Sequence, residues 1–190
     1  MGATENILIA AASADGETVI LNAAREPEIA DLADFLCSCG AHISGAGSGE
    51  ITVCGMKKLR SAEHTVIPDR IIASTYMAAA AVTGGDVRIL DTRAEHITPV
   101  IPVFEQAGCK VDCGENSVHI SAPVRLRSVQ TVRTMPYPGF PTDSQAAVMA
   151  MLSVAHGTSV MIENIFENRY RHVRELCRLG ADIMTEAKSR

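Results

Sequence analysis

Three stretches of this chain are apolar around nearly the whole helical circumference, and each is followed by a short strand-like stretch and then a one-sided helix. The apolar stretches are Ile7-Leu8-Ile9-Ala10-Ala11-Ala12, Ile71-Ile72-Ala73 on through Met77-Ala78-Ala79-Ala80-Ala81-Val82, and Ala146-Ala147-Val148-Met149-Ala150-Met151-Leu152. A helix without a polar face is predicted to be buried. Alanine side chains let helices approach closely, so the pattern predicts a core of helices with short sheets outside. The one-sided helix is plainest in the first copy. There Ile29, Leu32, Ala33 and Leu36 follow the i, i+3, i+4, i+7 spacing, Pro27 suits the first turn, and Gly40 suits a left-handed end. In the second copy Thr98 and Pro99 read as N-cap and first helical residue, with Pro102 tolerable because it lies in the first turn. A hairpin is predicted from 109–113, a turn at Gly114-Glu115-Asn116, and a return strand in which Val118 and Ile120 point inward.

The copies recur at a fixed period. Gly40, Gly108 and Gly180 each close a one-sided helix, 68 and then 72 positions apart, and Gly-Ala-His-Ile, Gly-Cys-Lys-Val and Gly-Ala-Asp-Ile follow. The unit is longer than solenoid repeats. The chain starts almost on a buried helix and stops where the first two copies still have a returning strand. It is therefore expected to be part of a longer protein.

Composition narrows the function classes. The 190 residues are 47% hydrophobic and 21% charged, an ordinary globular balance with enough length for a sizeable core. No stretch reaches the roughly 18 to 20 apolar residues of a membrane span. The net charge of −5, the lack of a Lys/Arg run and 4% aromatics argue against a nucleic-acid partner. Met1–Asn6 has neither a basic nor an apolar leader region, and Asn6 stands where myristoylation needs Ser or Thr, so a cytoplasmic chain is expected. The six cysteines lack paired zinc spacing and read as reduced, packed thiols. Histidines 42, 64, 96, 119, 156 and 172 show no metal spacing and read as surface or strand residues.

Five motifs stand out beside this pattern: Asn22-Ala23-Ala24-Arg25-Glu26-Pro27-Glu28-Ile29, Ile67-Pro68-Asp69-Arg70-Ile71, Pro136-Tyr137-Pro138-Gly139-Phe140, Pro141-Thr142-Asp143-Ser144-Gln145, and Ile165-Phe166-Glu167-Asn168-Arg169-Tyr170. In this order and spacing they closely resemble the UDP-N-acetylglucosamine 1-carboxyvinyltransferase family of enolpyruvyl transferases. The resemblance implies an α/β inside-out barrel built of βαβαββ units, which agrees with the repeat found independently. It places the last unit of one domain at 1–67, two units of the second domain at 68–190, and the crossing near 60–68. It further implies transfer of enolpyruvyl from phosphoenolpyruvate to the 3′-hydroxyl of UDP-N-acetylglucosamine with release of phosphate, the first committed step of peptidoglycan synthesis. No cofactor and no metal are implied. The N-terminal Lys-Asn pair, the loop with the Cys or Asp proton donor and several phosphate-binding arginines would lie outside this stretch, in the remaining half of the enzyme. Alone, the stretch is expected to be inactive.

On the residues themselves, Asp143 carries the strongest expectation. A sugar hydroxyl attacks as its proton is removed, which requires a carboxylate within hydrogen-bond reach. From spacing alone, Thr142-Asp143-Ser144-Gln145 reads better as a capping box; the resemblance reverses this and makes Asp143 the group contacting the acceptor hydroxyl. By the same resemblance Ile165 touches the nucleotide sugar through its backbone. Arg169 suits a carboxylate or phosphate, or an ion pair bracing the fold. Asp69, Arg70 and Phe166 are candidates for a cleft wall, Asp69 equally for helix N-terminal stabilisation. Arg25, Glu26 and Glu28 read first as a solvated helix start. Where the family often has Glu and Gly after Asp-Arg-Ile, this chain has Ile72 and Ser74. Two other readings fit: the sister enzyme acting on shikimate 3-phosphate, and a non-catalytic nucleotide-sugar-binding paralogue.

Overall fold

The structure, a computed structural model, describes residues 1–56 and 58–186. The chain divides into two compact units, one of Met1–Ile67 with Pro136–Pro138, the other of Pro68–Met135 and the chain from Gly139 onward.

The first unit runs α1 (Gly2–Ala12), β1 (Glu17–Leu21), α2 (Pro27–Ser38), β2 (His42–Ser44) and β3 (Glu50–Cys54). Its strands form an antiparallel sheet in the order β1-β3-β2, with Ile20 opposite Ile51 and Ile43 opposite Val53. This register sends Ile20, Ile51 and Val53 to one face, where Leu8, Ala11 and Ala12 of α1 and Ile29 and Leu36 of α2 cover them. The other face of the sheet is exposed at Val19 and Leu21.

The second unit repeats this plan with α3 (Arg70–Thr83), β4 (Asp86–Leu90), α4 (Ala94–Ile97), α5 (Ile101–Gln106), β5 (Lys110–Cys113) and β6 (Ser117–Ser121). The sheet order is β4-β6-β5, again antiparallel, and the predicted hairpin forms with Val118 and Ile120 fully buried. A further copy follows as β7 (Thr131–Arg133), a 3-10 turn (Thr142–Ser144), α6 (Gln145–Leu152), β8 (Val160–Ile162) and α7 (Arg171–Arg178), with β7 and β8 parallel. Its core gathers Met77, Phe104, Val118, Ile120, Val148 and Met151.

The period is visible in the backbone. Gly40, Gly108 and Gly180 all take left-handed φ, +106°, +102° and +99°, a conformation that costs glycine nothing. At each, the next residue donates its N–H to the carbonyl five positions back: Ala41 to Leu36, Cys109 to Phe104, Ala181 to Leu176. This closes the helix end as a Schellman turn. Over two of these turns lies an arginine whose N–H is bound to the turn itself, Arg60 to the Cys39 carbonyl and Arg127 to that of Ala107, each at 2.9 Å.

Several sequence expectations are corrected. The apolar helices are not buried all round: α1 exposes Ile7 and Ile9, and α3 exposes Ile72, Tyr76 and Val82. A helix lying on a sheet buries one side, and these side chains sit on the other. Thr98 and Pro99 do not start the second helix of their copy. Thr98 ends the short α4, its hydroxyl donating back to the carbonyls of Ala94 and Glu95, and α5 begins only at Ile101, with Pro102 in its first turn. Strand β7 carries no alternation long enough to announce it. All six cysteines are free thiols, but only Cys39 and Cys109 are buried; Cys54, Cys113 and Cys177 are exposed, so packing does not account for them. His64 pairs with the Asp31 carboxylate at 2.9 Å and His119 with that of Asp86 at 2.8 Å. Asp86 is held below the ordinary carboxylate range, chiefly by the His119 hydrogen bond.

Candidate functional site

The third copy assembles the candidate site. Strand β8 ends at Ile162, and the next residue, Glu163, is a buried carboxylate at 5% exposure. Its Oε1 accepts hydrogen bonds from the Thr134 hydroxyl at 2.8 Å, the Ile165 N–H at 2.7 Å and the Phe166 N–H at 3.1 Å. Its Oε2 accepts from the Thr142 hydroxyl at 2.8 Å. Burial pushes this carboxyl up in pKa, but the bonds from Thr142, Ile165, Thr134 and Phe166 together outweigh it and leave it below the ordinary glutamate value. The Glu163 N–H donates to the Tyr170 hydroxyl at 2.8 Å, which donates onward to the Met161 carbonyl at 3.0 Å. Burial raises the Tyr170 phenol, which keeps it a neutral donor.

On this base stand the residues singled out from the sequence. Asp143 and Arg169 come together: an Arg169 guanidinium nitrogen donates to Asp143 Oδ1 at 2.6 Å, with the side chains 44% and 34% exposed. The same guanidinium lies over the Phe166 ring, 5.0 Å from its centre, a cation–π contact. Ile165 and Phe166 expose their side chains while their N–H groups are bound to Glu163. With its N–H committed to Glu163, Ile165 has its carbonyl to offer a ligand as a backbone acceptor. His172 has its pKa pushed down by burial and then by the Arg169 charge, which favours a neutral ring beside the pair.

The capping-box reading of Thr142-Asp143-Ser144-Gln145 is overturned. No side chain caps this helix start, because the Thr142 hydroxyl is spent on Glu163 and the carboxylate of Asp143 on Arg169. Asp69, by contrast, does cap α3: its Oδ1 accepts from the N–H groups of Ile71 at 2.7 Å and Ile72 at 3.1 Å. Arg70 is buried at 5% exposure. Ser74 hydrogen-bonds Ser144 at 2.8 Å in the interior and so links α3 to the 3-10 turn that carries Asp143.

Sequence reasoning passed over Glu163. The available signal was an acid directly after the strand-like Val160-Met161-Ile162, a place where a charge must be buried or paired. A concavity of about 690 Å³ in the first unit, lined by Cys37, Cys39, Cys54, Met56, Lys58 and Arg60 among others, contains none of the sequence candidates. Among the described residues there is no group of three His, Cys, Asp or Glu side chains placed to hold a metal, and no helix long and apolar enough to cross a membrane.

The molecule is thus a repeated α/β protein with helices on one sheet face and an exposed carboxylate–guanidinium pair on its third copy. The chain belongs to the EPSP synthase (3-phosphoshikimate 1-carboxyvinyltransferase) family, whose model matches residues 1–189. It is 48% identical over 188 residues to UDP-N-acetylglucosamine 1-carboxyvinyltransferase 2 of Caldanaerobacter subterraneus subsp. tengcongensis, covering 99% of this chain and 45% of that protein. It is 50% identical over 189 residues to the UDP-N-acetylglucosamine 1-carboxyvinyltransferase of Geotalea daltonii, again over 45% of that protein's length. The chain thus spans about half the length of the curated relatives it matches. Its fold is shared with the enolpyruvyl transferase NikO of Streptomyces tendae, with a TM-score of 0.87 at 24% identity over 98% of this chain and 44% of that one.

Proposed function

We propose that this chain is part of a UDP-N-acetylglucosamine 1-carboxyvinyltransferase, its residues 1–67 ending one domain and 68–190 supplying two repeats of the other. The complete protein transfers enolpyruvyl from phosphoenolpyruvate to the 3′-hydroxyl of UDP-N-acetylglucosamine in the cytoplasm, serving peptidoglycan synthesis and through it cell division and shape. The observation that carries this reading is the Asp143–Arg169 pair at 2.6 Å. It sits in the two motifs that resemble the family, and relatives of about 50% identity bear that enzyme's name.

The pair suits the chemistry. Arg169 holds Asp143 by Oδ1, leaving Oδ2 as the oxygen to take the hydroxyl proton as the sugar oxygen bonds to the central carbon of phosphoenolpyruvate. A proton donor in the remainder of the enzyme protonates the methylene carbon. Loss of a proton from the methyl group so formed and departure of phosphate by cleavage of its carbon–oxygen bond then restore the double bond. In this reading Asp143 is the catalytic residue, the backbone of Ile165 and the Arg169 side chain are substrate-binding, and Asp69, Arg70 and Phe166 are further candidates for the wall of the site.

The family model's own description favours a second reading, transfer to shikimate 3-phosphate. Phosphate release by the complete protein separates the readings. Release with phosphoenolpyruvate and UDP-N-acetylglucosamine, and none with shikimate 3-phosphate, is expected. The reverse selects the sister reaction, and binding of the UDP-sugar without release selects a non-catalytic paralogue.

A further inference from the structure

We infer that Glu163 is a positioning residue that shapes the acceptor side of the site, fixing the Ile165–Phe166 backbone and the approach to Asp143; this rests on the functional reading above. The carboxylate ties three separate pieces of chain together: Thr134 just after β7, Thr142 next to Asp143, and the N–H groups of Ile165 and Phe166. It does so while buried, where charge-assisted bonds are at their strongest and an unmet donor is costly.

Around it, four consecutive backbone N–H groups are all held by side chains. That of Glu163 goes to the Tyr170 hydroxyl, that of Asn164 to the Thr134 hydroxyl at 2.8 Å, and those of Ile165 and Phe166 to Glu163 itself. The Thr134 hydroxyl thus donates a hydrogen bond to Glu163 and accepts one from the Asn164 N–H. A segment whose N–H groups are all taken can offer a ligand only carbonyls and side chains. It therefore suits a ligand rich in hydroxyl or N–H donors, as a sugar is. The ionised carboxylate suits this arrangement, because it accepts at both oxygens and donates from neither. Asp143 is fixed twice from the same centre: from one side through its neighbour Thr142, from the other through the 163–170 loop that delivers Arg169.

Glu163→Gln separates positioning from folding. The amide oxygen can keep the bonds from Thr134, Ile165 and Phe166, and the Thr142 hydroxyl can turn to accept from the new amide nitrogen, so the fold is expected to survive with weaker bonds. In the complete protein, KM for UDP-N-acetylglucosamine should rise about tenfold while KM for phosphoenolpyruvate stays unchanged. Amide exchange at 164–166 should accelerate about tenfold with exchange in β4 and β6 unchanged. Thr142→Val should raise the same KM by less. Equal rises in both KM values would mean general loosening and would overturn the assignment, as would wild-type exchange at 164–166 or faster exchange with an unchanged UDP-sugar KM. If the wild-type protein releases no phosphate, the functional reading has failed on its own account, and unchanged exchange at 164–166 in Glu163→Gln still decides against Glu163.

Discussion

The second and third copies each begin their inner helix after a proline, Pro68-Asp69-Arg70 in one and Pro141-Thr142-Asp143 in the other, and the two starts are built differently. At the first, Asp69 accepts two helix N–H groups and the chain enters α3 directly. At the second, the residue after the proline, Thr142, donates to Glu163 instead, and the chain passes through a 3-10 turn in which the Ser144 N–H bonds back to the Pro141 carbonyl at 3.1 Å. The uncapped start frees Asp143 to meet Arg169. One helix start is closed by its own side chain, and the other leaves its carboxylate to an ion pair with Arg169.

This contrast can be sharpened or broken by substitution. The bodies of the two helices should behave alike, since Met77 of α3 and Met151 of α6 are both fully buried. Each changed to Ala should cost about 2 to 5 kcal/mol in denaturant titration, and a near-zero cost for either would break the equivalence. Their starts should differ. Asp69→Ala should cost about 1 kcal/mol for the lost cap. Asp143→Ala should cost less than about 1 kcal/mol, because its ion pair is exposed and screened. Equal losses would mean that Asp143 is a structural residue too.

The smallest signal lies in pH. With its folded pKa below the ordinary glutamate value of 4.5, Glu163 binds fewer protons folded than unfolded. Its contribution to stability is complete above that ordinary value and drains away as pH falls through the depressed one. Stability measured on the acid side should therefore fall less steeply in Glu163→Gln than in the wild type. Parallel curves would mean that the carboxylate is not held as the geometry requires.

What could be read from the sequence was local or periodic. The three glycine-closed helices, the hairpin into Val118 and Ile120, and Pro27 at the head of α2 each depend on residues close in the chain. So does the apolar character of the inner helices, although which side of each would be covered depends on sheet packing that the pattern does not encode. Thr98-Pro99 misled because a capping pair has the same composition as the hydroxyl-closed end of a short helix. Asp143 and Arg169 were both singled out, but that they meet was not legible: 26 positions separate them, and the β8 crossing brings them together. Glu163 was missed for the same reason, since its side-chain partners Thr134 and Thr142 lie 29 and 21 positions away on other elements.

The most direct test is phosphate release from phosphoenolpyruvate and UDP-N-acetylglucosamine by the complete protein carrying Asp143→Asn, run beside Asp69→Ala, with thermal melting of both. Asp143→Asn should lose at least about 100-fold in turnover and keep its Tm within about 3 °C, while Asp69→Ala turns over at the wild-type rate with a lowered Tm. A near-normal rate in Asp143→Asn, or equal loss of turnover in both variants, would contradict the assignment of Asp143 as the base.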